Sequence, residues 1–485
     1  MEKPTVAQLR RADERELSLE NLLVMKFGGT SVGLAARMRA ASDLIAKFAA
    51  ERPVTAVVSA MSKVTDLLLD TTRLAETDDQ AGIDRNLAQL TERHLETAKE
   101  LIPAVELERV NGQIRDLVGE FSRIVSGMQM LGYRPARAVD EAIAVGERLS
   151  ALIVSEHLLS RGLVAEAVNA AEAIVTDAVY NNASPLMEAT RVKAQARLMP
   201  ILRKGGIPIV TGFNGATTDG TPTTLGRGGS DFSASILAAA LGATELWIWT
   251  DVDGIMTADP RLVPDARILD EITYSEAAEL AWAGAKVLHP RTIAPLVEHG
   301  IPVWSKNSFA PEKPGTRIVP KLTAGNTGAK AVTSMANVAL VSLEPASAAV
   351  SGVHLMARAL DALDRVNVEI LAMSSSSYRQ SFCFLVRNDE IEKAVDAIKV
   401  ALSLEFAHGY INDVGVDRNV GLLAVVGEGM RGVQGLAGRI FTAISREKVN
   451  VIAIAQGSSE LTISIAVRRD GLEKAVRAVH AECHL

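Results

Sequence analysis

Between positions 22 and 307 short apolar runs alternate with stretches of helical periodicity, and this alternation leaves few folds open. Residues 22–27, 54–59, 207–212, 245–250 and 301–304 read as buried strands. Residues 80–132 read as a helical excursion, and 137–158 as a further helix. Short strands separated by helices predict an α/β fold with a mostly parallel sheet covered on both faces. Ligands of such sheets sit beyond the carboxyl ends of the strands, so the loops found there are the places to look for chemistry.

The first of these loops is Val24-Met-Lys-Phe-Gly-Gly-Thr-Ser-Val-Gly33. Gly28 and Gly29 lack a Cβ, so the backbone can turn and approach a ligand. Thr30 and Ser31 are suited to cap a helix over about 34–50, and Lys26 ends the strand. Strand, glycine turn and helix N-terminus together make an anion site of free N–H groups. An ordinary strand–turn–helix with a solvated lysine has the same pattern. The second loop is Thr224-Leu-Gly-Arg-Gly-Gly-Ser-Asp231, opening a helix that runs to about Leu241. Gly226, Gly228 and Gly229 let amides face an anion, Ser230 and Asp231 are N-cap types, and Arg227 adds a planar fork for a carboxylate or phosphate. Two such loops, each with a cation, point to phosphoryl chemistry. The sequence holds no Gly-x-x-x-x-Gly-Lys-[Ser/Thr], which excludes a P-loop enzyme. Thr250 and Asp251 end another strand, and Lys286 sits in Ala283-Gly-Ala-Lys-Val-Leu-His-Pro290; alone, either stretch reads as structural, and so does His289.

The net charge of −7, with no basic block, argues against nucleic acid and anionic membrane as partners. No apolar run reaches the roughly 18 residues of a membrane helix. Cys383 and Cys483 lack metal spacing and define no disulfide framework. Residues 1–20 carry charges of both signs and no apolar signal core, and read as a frayed helical extension. A cytoplasmic location is the expectation.

Pro311, Pro314, Gly315, Pro320, Gly325 and Gly328 mark a linker. An internal repeat follows. Asn337-Val-Ala-Leu-Val recurs as Asn419-Val-Gly-Leu-Leu, Val366-Asn-Val as Val449-Asn-Val, and Glu392-Lys-Ala-Val as Glu473-Lys-Ala-Val, with a period of about 80 residues. Each copy reads as a βαββαβ unit, suited either to sensing a small ligand or to dimerisation alone. Gly427-Glu-Gly-Met-Arg-Gly432 matches a dinucleotide fingerprint. It lies inside the repeat, its counterpart copy lacks the glycines, and too little chain remains for a Rossmann domain.

Lys-Phe-Gly-Gly-Thr-Ser-Val-Gly, Gly-Glu-Arg-Leu-Ser, Thr-Leu-Gly-Arg-Gly-Gly-Ser-Asp, Trp-Thr-Asp-Val-Asp-Gly-Ile and Gly-Ala-Lys-Val-Leu-His-Pro, in this order, resemble the motifs of aspartate kinase. The resemblance implies a three-layer αβα amino-acid kinase (carbamate kinase-like) domain followed by tandem βαββαβ ACT domains. The implied boundaries are 1–20 extension, 21–315 catalytic domain, 316–335 linker, 336–415 first ACT domain and 416–485 second ACT domain. The implied reaction is Mg²⁺- and ATP-dependent phosphorylation of the L-aspartate β-carboxylate, the first step toward lysine, threonine, methionine and isoleucine.

By the same resemblance Lys26 bridges the reacting carboxylate and the γ-phosphate, and Gly28 and Gly29 line the phosphates. Thr65 and Glu147 meet aspartate, with Glu147 on the α-ammonium, and Arg227 clamps a carboxylate. Gly228, Gly229, Ser230 and Asp231 hold phosphate or Mg²⁺. Thr250, Asp251, Met256, Arg261, Lys286 and Val287 serve ATP, with Met256 standing where relatives often carry tyrosine. In the repeat, Asn450 and Gln456 are implied effector residues, while Met373 replaces a glutamine in the first copy. Threonine is the first expectation for the effector and lysine the second, and a homodimer or homotetramer through the ACT domains is expected. No dehydrogenase is expected, because the chain closes just past the second repeat. The rival readings are an amino-acid sensor with an inactive kinase domain, or another member of the same fold.

Overall fold

All of Leu23–Phe27 (β1) is buried, and in the computed structural model of the chain the first sheet is built outward from this strand. The structure describes residues 19–285, 288–323, 328–346, 351–376 and 381–485. By its contacts the chain divides into one unit of 1–254 with 288–320, and a second of 255–287 with 321–485.

In chain order the strands are β1, β2 (Val54–Val58), β3 (Ala165–Val168), β4 (Val175–Thr176), β5 (Ile207–Thr211), β6 (Asn214–Thr217), β7 (Pro222–Thr224), β8 (Glu245–Thr250), β9 (Glu271–Thr273), β10 (Val303–Asn307) and β11 (Thr316–Val319). In the first unit they lie side by side as β3-β5-β2-β1-β8-β10-β11. Neighbours are parallel except β10 and β11. β4, β6 and β7 form a small separate sheet. Strands buried on both faces need no polar alternation, and β1, β2 and β5 are buried from end to end.

Alternation along β1 sorts the layers. Leu23, Met25 and Phe27 join a core with Met38 and Ile45 of helix Ala35–Ala49 and Leu149 and Ile153 of helix Val145–Ser160. Lys26 turns the other way, toward helix Gly229–Leu241, where it meets Asp231. That helix is rich in Ala and Ser and buried almost throughout. Helices Met187–Arg203 and Pro290–Val297 pack on it.

Several local expectations are corrected. The excursion over 80–132 is two helices, Gln80–Leu101 and Ala104–Leu131, because Pro103 cannot continue the first and keeps Ile102 extended. The helix read over 137–158 is likewise two, Ala136–Ile143 and Val145–Ser160, parted at Ala144. Thr30 and Ser31 do not cap the following helix, whose N-cap is Leu34. Ser31 instead bonds Ser308 Oγ at 2.8 Å across the sheet's edge. Ser230 and Asp231 lie inside the first turn of their helix, and Gly228, at φ +70°, occupies the N-cap. Within 316–335, read as linker, Thr316–Val319 is β11 and Ala331 opens the next strand.

The second unit continues with β12 (Ala331–Pro345), β13 (Ala372–Ser375), β14 (Phe382–Arg387), β15 (Ile411–Val426), β16 (Val451–Gln456) and β17 (Thr462–Arg468). They form one sheet, β13-β14-β12-β15-β17-β16. The repeat is present, and its strands cross over. The back half of β12 pairs with β14 and with the front half of β15; the front half of β12, from Ala331 to Met335, pairs with the back half of β15. The strand that closes the second repeat therefore precedes the first. Helices Gly352–Arg365 and Ile391–Ala401 cover one core around Val341, Leu355 and Phe384. Helices Leu436–Arg446 and Leu472–Glu482 cover another around Leu423, Ile440 and Val476, which Ala258 and Val263 also join. Gly427 owes its place to close packing rather than to a nucleotide: a Cβ there would lie 2.7 Å from Gly328 O.

Candidate active site

Residues that follow β1, β2, β5 and β8, the carboxyl ends of four parallel strands, line one cleft of about 720 Å³ in the first unit. Lys26, Gly28, Gly29, Thr65, Glu147, Arg227, Gly228, Gly229, Ser230, Asp231 and Thr250 all border it. The expected pocket thus joins both glycine loops.

Lys26 is 9 % exposed and its Nζ lies 2.6 Å from Asp231 Oδ1. The pair spans the gap between β1 and the opening turn of helix Gly229–Leu241. A Cβ on Gly28 would stand 3.2 Å from that ammonium, so the absent side chain leaves the lysine open to the cleft. Gly29 runs equally close to the loop after β2, where Ser62 N–H donates to Gly29 O at 3.1 Å.

Glu147 opens the helix after Ala144 and is 2 % exposed. Gly146 lets this helix approach: a Cβ there would meet Ala60 Cβ at 2.9 Å. Ala60 N–H donates to Glu147 Oε1 at 3.2 Å, while Oε2 has no partner among the described residues. Burial pushes the Glu147 carboxyl up to about 8, against the smaller pull of that amide. A carboxylate held dry with one bare oxygen favours an incoming cation that also donates hydrogen bonds.

In the second loop Gly226 and Gly228 have φ of +74° and +70°, a conformation costly for other residues. Gly229 passes so near Phe213 that a Cβ would sit 2.6 Å from its ring. Arg227 is exposed at the cleft, and its guanidinium makes no hydrogen bond or ion pair among the described residues. A planar cation left free beside backbone amides suits an anionic ligand.

Other expected residues are not among those that border this cleft. Asp251 is exposed beside Thr250, whose hydroxyl donates to it at 3.3 Å, and it does not border the cleft. Met256 and Arg261 belong to the second unit. There Met256 bridges to Ile268, and Arg261 is bound to Asp259 at 2.6 Å. Lys286 and Val287 lie outside the described residues. Asn450 and Gln456 are exposed, Gln456 at the end of β16, and Met373 is 39 % exposed on β13.

Asn181 and Phe213 were not foreseen. Both border the cleft with positive φ, +67° and +72°. Asn181 carries one sequence signal, the Asn-Asn pair of a turn; Phe213 carries none. Among the described residues no group of three or more His, Cys, Asp or Glu side chains could cage a metal ion. Mg²⁺ needs no such cage, since it takes one or two carboxylates together with substrate phosphates and water. Asp231, with Asp66 also at the rim, fits that demand.

A model of the amino acid kinase family matches residues 21–307, more than half of the chain. The aspartokinase of Schizosaccharomyces pombe is 30 % identical over 492 residues, covering 95 % of this chain and 92 % of that protein. The chain belongs to the amino acid kinase family, in its aspartokinase branch. A model of the ACT domain matches residues 423–483. The chloroplastic bifunctional aspartokinase/homoserine dehydrogenase 1 of Arabidopsis thaliana is 33 % identical over 470 residues, 95 % of this chain and 51 % of that protein. The chain thus spans about half the length of such bifunctional relatives. Escherichia coli aspartokinase III, solved in complex with aspartate and ADP (R-state), superposes with a TM-score of 0.81 at 28 % identity, over 96 % of this chain and 100 % of that one. The aspartate kinase of Clostridium acetobutylicum gives 0.75 at 28 % identity, over 95 % and 100 %. This member of the family joins the αβα kinase fold to a C-terminal ACT region.

Proposed function

We propose that this chain is an aspartate kinase, transferring the ATP γ-phosphoryl group to the β-carboxylate of L-aspartate to give 4-phospho-L-aspartate. The observation that carries the reading is the bare oxygen of buried Glu147 in the cleft that also holds Lys26, Arg227 and both glycine loops. An amino acid brings an ammonium for Glu147 and carboxylates for the cations. A β-carboxylate has a pKa near 4 and is already an anion at neutral pH, so no general base is required. What remains is to hold two anions together and neutralise them as the phosphoryl group moves.

In this reading Lys26 bridges carboxylate and γ-phosphate, Gly28, Gly29, Gly228 and Gly229 give amides to the phosphates, and Arg227 with Thr65 and Ser230 fixes aspartate. Asp231 would hold Mg²⁺, which when bound neutralises phosphate charge. Thr250, Asp251, Met256, Arg261, Lys286 and Val287 are assigned to ATP. The domain reading is extension 1–20, catalytic domain 21–315 and ACT domains 336–415 and 416–485, with strand at 316–319 and from 331 inside the stretch read as linker, and 331–335 adding a strand to the second ACT repeat. The remaining proposals are a cytoplasmic enzyme at the head of lysine, threonine, methionine and isoleucine synthesis, assembled through its ACT domains, with Asn450 and Gln456 binding the effector. Threonine is placed first and lysine second. A lysine complex is described for Escherichia coli aspartokinase III.

Trapping the acyl phosphate as a hydroxamate tests the reaction. Hydroxamate that requires both ATP and aspartate, and falls as threonine or lysine is titrated in, is the expected result. Activity with glutamate, acetylglutamate or UMP in place of aspartate, or none with any acceptor, overturns the reading.

A further inference from the structure

Asp140 lies on helix Ala136–Ile143, fully buried, and takes no part in the chemistry proposed above. Asn181 N–H donates to it at 2.9 Å, Thr224 N–H at 3.0 Å and Thr224 Oγ1 at 2.6 Å, so both carboxylate oxygens are engaged. Burial raises its pKa and these donors pull it back; no cation contributes.

Both donor residues border the cleft. Thr224 ends β7, three residues ahead of Arg227. Asn181 opens a turn in which Ala183 N–H donates to Thr224 O at 2.8 Å. A Cβ on Gly226 would stand 2.7 Å from Asn182 Oδ1, so the turn and the Arg227 loop are in close contact. Arg291 fastens the far side, bonding Asn182 Oδ1 and, at 3.2 Å, Ala183 O. Along the chain Asp140, Ile143 and Glu147 follow at i, i+3 and i+7, and the latter two border the cleft.

We propose that Asp140 is a positioning residue that ties the Arg227 loop and the Asn181 turn to the helical run carrying Glu147, and so sets the spacing between the acceptor of the substrate ammonium and the clamp on its carboxylate. The inference rests on the aspartate kinase reading of this cleft. Asparagine in its place keeps the size but presents an NH₂ toward donors. The Arg227 loop then loses its reference, while the Lys26–Asp231 pair and the first glycine turn keep theirs.

The test is steady-state kinetics of the full chain by the hydroxamate assay. Asp140→Asn is expected to raise the aspartate KM about tenfold or more, the scale of one mismatched buried acceptor, with the ATP KM within about twofold. Thr224→Val, which deletes the hydroxyl donor alone, is expected to raise the same constant by a smaller factor, and Thr224→Ser to restore it. If Asp140→Asn does not fold, as judged by thermal melting, the Thr224 pair decides. An aspartate KM unmoved in folded variants, or a rise in the two KM values by equal factors, overturns the inference. A parent chain inactive with aspartate sinks the reading of the cleft and this inference with it; an active parent with unmoved variants sinks only the inference.

Discussion

Glu147 is buried with one oxygen hydrogen-bonded and one bare, and that state has a pH signature. Its carboxyl is raised from 4.5 to about 8, so between those values the folded chain holds a proton that the unfolded chain has released. Its contribution to stability is therefore full below about 4.5, falls as pH rises through the window, and is gone above about 8. Melting temperatures of the ligand-free protein from pH 5 to 9 are expected to fall less for Glu147→Gln than for the parent, and equal slopes would contradict this. Aspartate binding near pH 7 is expected to release about one proton from the parent, read as buffer-dependent heat, and none from the variant. Lys26→Ala is expected to cut kcat by about a hundredfold or more while the ATP KM changes only a few-fold; near-normal kcat would remove Lys26 from its role. Lys26, Arg227 and the glycines were legible because short motifs carry them. Asp140 was not, since its partners lie 41 and 84 positions away and no local pattern encodes such a bond.

At the scale of elements, strands were easier to read than helix ends. Apolar runs mark a buried parallel strand, whereas the break at Pro103 and the unexpected N-caps depend on turns that propensity describes weakly. The end of β5 and the first turn of helix Gly229–Leu241 touch closely: a Cβ on Gly212 would fall 2.7 Å from Ser230 Cβ and 3.1 Å from its Cα. Backbone at that distance cannot swing aside, so Gly212→Ala should displace the turn bearing Ser230 and Asp231. The expected outcome is at least a tenfold loss of kcat/KM, with a lowered melting temperature. The repeats offer a second comparison. A thioether at Met373 cannot reproduce the donors and acceptor of the amide at Gln456, so calorimetry with threonine or lysine is expected to find one effector site per chain. Two equivalent sites would refute the asymmetry.

For the whole molecule, the sequence made the order of the parts legible but not how the segment 255–287 is shared out. Its Ala258 and Val263 are buried in the core of the second repeat. Glu276 Oε1 accepts from Glu428 N–H at 2.7 Å, and Glu279 from the Thr462 hydroxyl at 2.8 Å. A chain cut after position 320 keeps this segment and loses the second-repeat core that Ala258 and Val263 join, together with the partners of Glu276 and Glu279. It should aggregate or melt well below the full chain in a thermal scan, and a soluble fragment of undiminished stability would show the segment to be self-sufficient.

The interleaving of β12 and β15 reaches further. Because the second repeat is completed by residues lying upstream of the first, it cannot be excised, transplanted or exchanged for a foreign copy by moving one continuous stretch. A chimera that respected the boundaries visible in the amino-acid text would leave one sheet a strand short. Any engineer who moves the second copy must therefore carry the first along with it, as a knot is moved with its rope.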